Sequence, residues 1–252
     1  MERITARKNP LLQQVRKLIS SRKERETSGL FVADGTKLLA EAVKWWPGLE
    51  TVILSDGVEA QVPDHVRLVT VPKDVMESIS PMQTPQGALF LCRLPEKTEF
   101  IPKPGMLLLD GIQDPGNLGT IIRIADWFGI ENIYCSIGTA DIYNPKTVQA
   151  TMGAIGRVKV HYVDLPAFIA SIKDNTAIYG TFLDGDNIYK KELKPTGLII
   201  MGNEGNGISK ECSKHVTERL LIPNYPAGRE TSESLNVSVA TAIICSEFRR
   251  RS

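Results

Sequence analysis

Three short polar stretches in the second half of the chain each follow an apolar run of strand length, and they concentrate the residues able to do chemistry. The first is Asp110-Gly111-Ile112-Gln113-Asp114-Pro115-Gly116-Asn117, leading into a helical pattern that carries Arg123. The second is Gly202-Asn203-Glu204-Gly205-Asn206-Gly207, directly after the apolar run ending at Met201. The third lies between Leu220-Leu221-Ile222 and the apolar segment opening at Val237, and holds Arg229, Glu230, Thr231, Ser232, Glu233, Ser234 and Asn236. Ser234 or Asn236 can cap the helix that begins there, but capping needs one such group and not a whole cluster. Glycines admit close approach of backbone to a ligand, and a helix N-terminus favours negative charge. Loops leaving the carboxyl ends of strands are where α/β proteins bind ligands. The expectation is a ligand site built from these three loops.

Several familiar chemistries are excluded by spacing. Neither glycine cluster ends in the GK[ST] of a phosphate-binding P-loop. Gly202, Gly205 and Gly207 read GxxGxG, which is not the dinucleotide fingerprint GxGxxG. Ser234 lacks a GxSxG elbow, and His65, His161 and His215 all lie outside the three clusters, so a Ser–His hydrolase is poorly supported. The four cysteines (Cys92, Cys135, Cys212, Cys245) form no CxxC pair and sit mostly in apolar runs, so neither a metal site nor a disulfide is expected.

The elements that must position these loops follow from periodicity. Beyond Gly105, strands are expected at Met106–Leu109, Asn132–Ser136, Val158–Tyr162, Ala177–Tyr179, Leu198–Met201 and Arg219–Ile222. Helices are expected at 118–128, 145–152, 167–173 and 237–248. Near-continuous apolar strands alternating with helices imply a mostly parallel sheet covered on both faces. Before this region lies a smaller alternating unit. Its helix at 9–18 has Pro10 in the first turn, Ser20–Ser28 reads as a charged connection, and strands are expected near residues 30–33, 51–54, 66–71 and 87–94. The Pro- and charge-rich stretch PEKTEFIPKP marks a linker. The domains are therefore 1–95, a linker at 96–104 and 105–252, and a chain lacking residues 1–95 is expected to fold.

Net charge is +1 over 252 residues, so no global field points to nucleic acid. Residues 1–25 nevertheless carry eight cations (Arg3, Arg7, Lys8, Arg16, Lys17, Arg22, Lys23, Arg25) against Glu2 and Glu24, which suits either a polyanion-binding arm or a solvated helix. No apolar run approaches membrane-spanning length and the N-terminus lacks an apolar signal core, so a soluble cytoplasmic protein is expected, with no membrane partner.

Taken together, the three clusters resemble the SpoU (TrmH-like) RNA ribose methyltransferases of the SPOUT superfamily. The first appears as LDGIQDPGNLGTIIRIADWFGI, the second as IIMGNEGNGIS, the third as LIPNYPAGRETSESLNVSVATAI, with NPKTVQATMGAIGRVKV fitting the central region. The resemblance covers roughly residues 105–250, and three ordered motifs are far more specific than any one. Residues from NPLLQQVRKLISS onward are similar to the substrate-binding domain that precedes the catalytic domain in many members.

The resemblance implies an α/β SPOUT-type catalytic domain with a mostly parallel sheet and a C-terminal trefoil knot, preceded by a small α/β RNA-binding domain. It implies a homodimer formed through the catalytic domain, and S-adenosylmethionine as cofactor. The activity would be methyl transfer to a ribose 2′-hydroxyl, with rRNA favoured over tRNA because of the extra domain. A tRNA methyltransferase, or a non-catalytic RNA-binding or ribosome-assembly factor, is the alternative. Carried over by position, the catalytic set is Asn117, Arg123, Glu204, Ser234 and Asn236. The cofactor set is Thr181, Leu183, Met201, Gly202, Asn203, Gly205, Ile222, Ser234 and Leu235. The loop from 223 to 234 is a few residues longer than is usual in the family, which leaves the roles of Arg229 and Glu230 open. A guanidinium with a pKa above ~12 does not ordinarily accept a proton, so Arg123 is expected to clamp phosphate and stabilise charge growing on the 2′-oxygen. Glu204 could hold a neighbouring polar group or take the proton. Trp45, Trp46 and Trp127 are expected in core or interface, and Arg249, Arg250 and Arg251 at a helix C-terminus, where cations are favoured.

Overall fold

The computed structural model describes residues 2–96, 107–172, 176–226, 229 and 232–251. Most of the expected linker, Met106, Lys173, and Gly228, Glu230 and Thr231 around the third cluster lie outside the described residues. The chain forms two compact units, Met1–Glu99 with Tyr143–Gly156, and Phe100–Ile142 with Arg157–Ser252.

The first unit runs β1 (Glu2–Arg3), α1 (Pro10–Ser20), α2 (Arg22–Ser28), β2 (Leu30–Asp34), α3 (Thr36–Trp45), β3 (Leu49–Ser55), β4 (Arg67–Val71), α4 (Lys73–Ile79) and β5 (Ala88–Arg93). Its five strands lie in the order β1-β4-β3-β5-β2, with β5 antiparallel to both β2 and β3 and the remaining pairs parallel. Leu12, Val15 and Leu18 of α1 join Val75, Met76 and Ile79 in one core cluster with Val32, Ile53, Val69 and Leu89. Each fully buried aliphatic side chain of this kind stabilises the fold by about 1.5–3 kcal/mol.

The stretch that reads as a charged connection is in fact a helix. Ser21 Oγ accepts the Glu24 N–H at its start, and Gly29, at φ 68°, ends it in the left-handed region. Periodicity misses α2 because its buried residue is Arg25, which donates to the carbonyls of Leu18 (2.5 Å) and Ile19 at the end of α1. The other arginines of the basic arm are also engaged. Arg3 pairs with Asp56, Arg7 with Asp74 and Arg22 with Glu26, while Arg16 donates to the Arg7 carbonyl and to Ser78. The arginines of the arm are therefore mostly internal wiring.

The chain enters this unit a second time, which its apolar pattern does not announce. α5 (Pro115–Trp127) and β7 (Asn132–Ser136) belong to the other unit, but α6 (Pro145–Ala150) and the 3₁₀ turn Ala154–Gly156 belong to this one. Val148 is fully buried in the cluster of Phe31, Leu38, Leu39, Ala42, Trp46 and Phe90, with Tyr143 and Ile155 packed against it. The Phe31 and Tyr143 ring centroids are 4.8 Å apart, and Trp46 Nε1 donates to the Gly153 carbonyl at 3.4 Å. A Cβ on Gly156 would lie 2.2 Å from Trp46 Cδ1, so only glycine fits there.

The second unit contains β6 (Leu107–Asp110), α5, β7, β8 (Lys159–Val163), α7 (Leu165–Ala170), β9 (Ile178–Asn187), β10 (Leu198–Gly202), α8 (Lys210–Ser213), β11 (Glu218–Leu221) and α9 (Val237–Arg250). The six strands are all parallel, in the order β11-β9-β10-β6-β7-β8. The chain runs outward from β6 to β8, then crosses back so that β10 pairs with β6. This makes the carboxyl ends of β6 and β10 the switch point of the sheet, with Gly202 opposite Asp110. Open α/β sheets bind ligands at such points. β9 extends to Asn187, beyond the strand expected at 177–179, because its polar tail pairs with β11 across a register shift at Arg219/Leu220. One core cluster of this unit packs Tyr134, Phe168, Ile169, Ile200 and Cys212 together. α9 packs against α5 and β10.

The C-terminal arginines are spent on the fold. Arg249 donates to the Phe128 carbonyl at 2.7 Å, Arg250 and Arg251 pair with buried Glu247, and Arg251 also reaches the carbonyls of Ile188 and Tyr189. Those two guanidiniums hold the Glu247 carboxyl down at about 2. Of the tryptophans, Trp46 is core, but Trp45 is half exposed and Trp127, 85% exposed, is no core residue. Among the described residues no helix is long and apolar enough to cross a membrane.

Candidate functional site

The first cluster becomes the β6–α5 loop. Gly111, at φ 73°, turns the chain away from β6, and its N–H donates to Ser136 Oγ at 2.8 Å. Asp114 caps α5 by accepting the Asn117 N–H at 2.9 Å, and Pro115 occupies the first helical turn, so the helix starts three residues earlier than its apolar pattern. The second cluster becomes the β10–α8 loop, tied to the first by the side chains of Asn203, Asp110 and Glu204. Asn203 Nδ2 donates to the Gly111 carbonyl at 2.7 Å, while its Oδ1 accepts the N–H groups of Gly205 and Asn206 at 2.9 Å. Asp110 accepts the Ser209 N–H at 2.8 Å. Gly202 is a steric requirement, since a Cβ there would lie 2.3 Å from the Gly207 carbonyl carbon and the Ile208 nitrogen.

Glu204 is the hub. Its carboxylate accepts the backbone N–H groups of Gln113 and Asp114 at 3.2 Å and Asn117 Nδ2 at 3.0 Å. Partial burial works to raise its pKa, but the Asn117 amide, together with the backbone N–H groups of Glu204 itself, Gln113 and Asp114, outweighs it and holds the carboxyl below its usual range. The third cluster joins through Asn236, which caps α9. Its Oδ1 accepts the N–H of Ser238 and Val239, and its Nδ2 donates to Asn117 Oδ1 at 2.9 Å. Asn236, and not Ser234, is therefore the cap.

Beside this network lies a cavity of about 520 Å³, within the range of small-molecule sites. Thr181, Leu183, Met201, Gly202, Asn203, Glu204, Gly205, Ile222, Ser234 and Leu235 all line it, so every residue expected to hold cofactor stands at the cavity. Sequence reasoning missed Leu220, Val237, Ala240 and Ile244, apolar wall residues whose only signal was membership in strand or helix. The lining combines apolar side chains with loop backbone and few charges, which fits a nucleoside-bearing ligand held through backbone contacts and its apolar faces. Exposed Leu183 and Leu235 stand among its lining residues. Of the catalytic set, Asn117, Glu204 and Asn236 are joined by hydrogen bonds and Ser234 lines the cavity. Arg123 is not brought into this network. It is exposed on α5, six residues past Asn117 and so about 120° around the helix, with no ion pair among the described residues. Among the described residues, Arg229 bonds through its backbone, its N–H to the Pro226 carbonyl and its own carbonyl accepting from Asn224 Nδ2. No metal-binding group of His, Cys, Asp or Glu occurs among the described residues.

An all-parallel sheet whose switch point carries three polar loops beside an apolar-walled cavity has the form of an α/β domain that binds a small ligand at its switch point. Residues 104–246 match the SpoU rRNA Methylase family, and residues 9–89 match the MRM3-like substrate binding domain. The chain belongs to the SpoU rRNA methylase family. It is 31% identical to the Bacillus subtilis 23S rRNA (guanosine(2553)-2′-O)-methyltransferase RlmP, over 99% of this chain and 100% of that protein. A structure from Porphyromonas gingivalis, described as a TrmH-family RNA methyltransferase, superposes with TM-score 0.83 at 37% identity, covering 96% of this chain and 97% of that one. The S-adenosylmethionine-bound rRNA methyltransferase of Sinorhizobium meliloti superposes with TM-score 0.85 at 26% identity, covering 99% and 98%.

Proposed function

We propose that the protein transfers a methyl group from S-adenosylmethionine to a ribose 2′-hydroxyl of RNA, with ribosomal RNA as substrate. The observation that carries this reading is Glu204, which belongs both to the cavity wall and to the hydrogen-bonded set with Asn117 and Asn236. Cofactor pocket and polar catalytic groups thus share one residue. Thr181, Leu183, Met201, Gly202, Ile222 and Leu235 would hold the cofactor, which when bound supplies an electrophilic methyl group.

The chain's own residues orient the acceptor. Asn117 and Asn236 present amide donors toward the hydroxyl oxygen, where donors fixed in advance stabilise growing negative charge. Glu204, held ionised by three donors, is a weak base; it positions Asn117 and the β6–α5 loop and does not take the proton. Arg123 is the phosphate clamp, since a guanidinium is built for paired oxygens and this one has no ion pair among the described residues. Ser234 orients the ribose from the cavity side. The family's knotted threading would bring the cofactor loops side by side.

The N-terminal unit favours rRNA over tRNA, because it matches a substrate-binding domain and because RlmP is named for 23S rRNA. A homodimer through the catalytic unit is supported by the exposure of Trp127 and Val239 on α5 and α9, which pack on each other. A cytoplasmic location accords with rRNA as substrate.

The test is methyl transfer from labelled S-adenosylmethionine to total RNA of a strain lacking this gene, with the product sized and digested to nucleosides. Label in large rRNA as a 2′-O-methyl nucleoside is expected. Label in tRNA would move the substrate, and no label despite cofactor binding would leave an RNA-binding or assembly role.

A further inference from the structure

The side-chain amides of Asn117 and Asn236 belong to a hydrogen-bonded chain whose direction is set at both ends. At one end the Glu204 carboxylate, which can only accept, takes Asn117 Nδ2–H. At the other, Asn236 Oδ1 accepts two backbone N–H groups and, at 2.6 Å, the hydroxyl of Ser238. Neither amide can turn over without exchanging donor for acceptor at both of its contacts. Each NH₂ group uses one hydrogen within the chain, which leaves one N–H on each asparagine without a partner among the described residues.

The Ser238 hydroxyl is surplus to helix capping, because Asn236 Oδ1 already accepts the N–H groups of Ser238 and Val239. The side chain is also buried, at 7% exposure, so it does not touch RNA. Resting on the methyl-transfer reading above, we propose that Ser238 is a positioning residue for the reaction. Its hydroxyl locks the Asn236 amide, and through it that of Asn117, so that the two free N–H groups face the ribose 2′-oxygen. Bonds in such a chain polarise one another, and donors that need no reorganisation at the moment of reaction stabilise charge best.

The experiment compares Ser238→Ala and Ser238→Thr with wild type in the full-length chain, using labelled S-adenosylmethionine and the RNA fraction that wild type methylates. Ser238→Ala should lower kcat about tenfold, with KM for RNA and the cofactor Kd unchanged, and Ser238→Thr should recover most of the loss. The side-chain amide NMR signals of Asn117 and Asn236 give a second readout, which should shift and exchange faster with solvent in Ser238→Ala alone. Wild-type kcat in Ser238→Ala, unmoved amide signals, or a loss that follows a lowered Tm and is not restored by threonine would overturn the proposal. Wild type that methylates no RNA would instead remove the methyl-transfer reading, and the amide signals would still decide whether Ser238 orders the pair.

Discussion

Asn236 Nδ2 donates to Asn117 Oδ1 at 2.9 Å, joining residues 119 positions apart in sequence and the starts of two helices, α9 and α5. This contact closes the third loop onto the first. Asn117→Asp keeps the acceptor for Asn236 but sets a second carboxylate against Glu204. It should lower kcat by about 10²-fold with cofactor Kd little changed, measured by single-turnover methyl transfer and calorimetry. Activity within a few-fold of wild type would take Asn117 out of the chemistry.

Glu204 is held below the usual carboxylate range, so its folded pKa lies below its unfolded one. Its contribution to stability is then complete above the unfolded value, about pH 4, and is lost as pH falls through the folded value. Glu204→Gln supplies one acceptor where two oxygens now receive three donors. Wild type should therefore lose Tm on acidification more steeply than Glu204→Gln, in melts followed from neutral pH down to about pH 3. Parallel curves would show that the three donors do not govern this carboxyl.

Arg123→Ala should leave cofactor binding intact and lower kcat/KM for RNA by about 10²–10³-fold. The side chain is exposed and holds no ion pair among the described residues, so Tm should stay within about 1 °C of wild type. Retained methyl transfer would remove this arginine from the site.

Gly202→Ala would set a Cβ 2.3 Å from the Gly207 and Ile208 backbone, where no flexible side chain can give way. The loop must move, costing about 1–3 kcal/mol and opening the cavity wall. Cofactor affinity should fall at least tenfold, about 1.4 kcal/mol or more, by equilibrium binding. Unchanged affinity would mean that the β10–α8 loop does not frame the cofactor.

Removing residues 1–95 should not leave a well-folded remainder, contrary to what the sequence suggests. Tyr143, Val148 and Ile155 pack in the first unit's core and would be stripped of their partners. The truncated chain should aggregate or show reduced Tm by size-exclusion chromatography and thermal melts. Gly156→Ala, which crowds Trp46, should destabilise the intact chain by about 1–3 kcal/mol. A monodisperse truncated chain with an unchanged Tm would refute this account.

Sequence alone determined the α/β alternation, the parallel sheet of the second unit, and the three polar loops that hold Asn117, Glu204 and Asn236, whereas Thr181, Leu183 and the other cofactor positions came from the resemblance to the SpoU family. The alternation, sheet and loops are legible because apolar runs, glycines and caps act locally, within a turn or a strand. Tertiary structure decided what depends on partners far along the chain. It spent Arg25 on the end of α1 and Arg251 on Glu247 and the 188–189 carbonyls, where charge counting could see only a basic arm and a basic tail. It carried residues 143–156 into the first unit, since apolar residues such as Val148 and Tyr143 signal burial without saying against which core. It set Glu204 against three donors, the N–H groups of Gln113 and Asp114 and the side-chain amide of Asn117. Those donors come from a loop some ninety positions away, brought to it only by the pairing of β6 with β10.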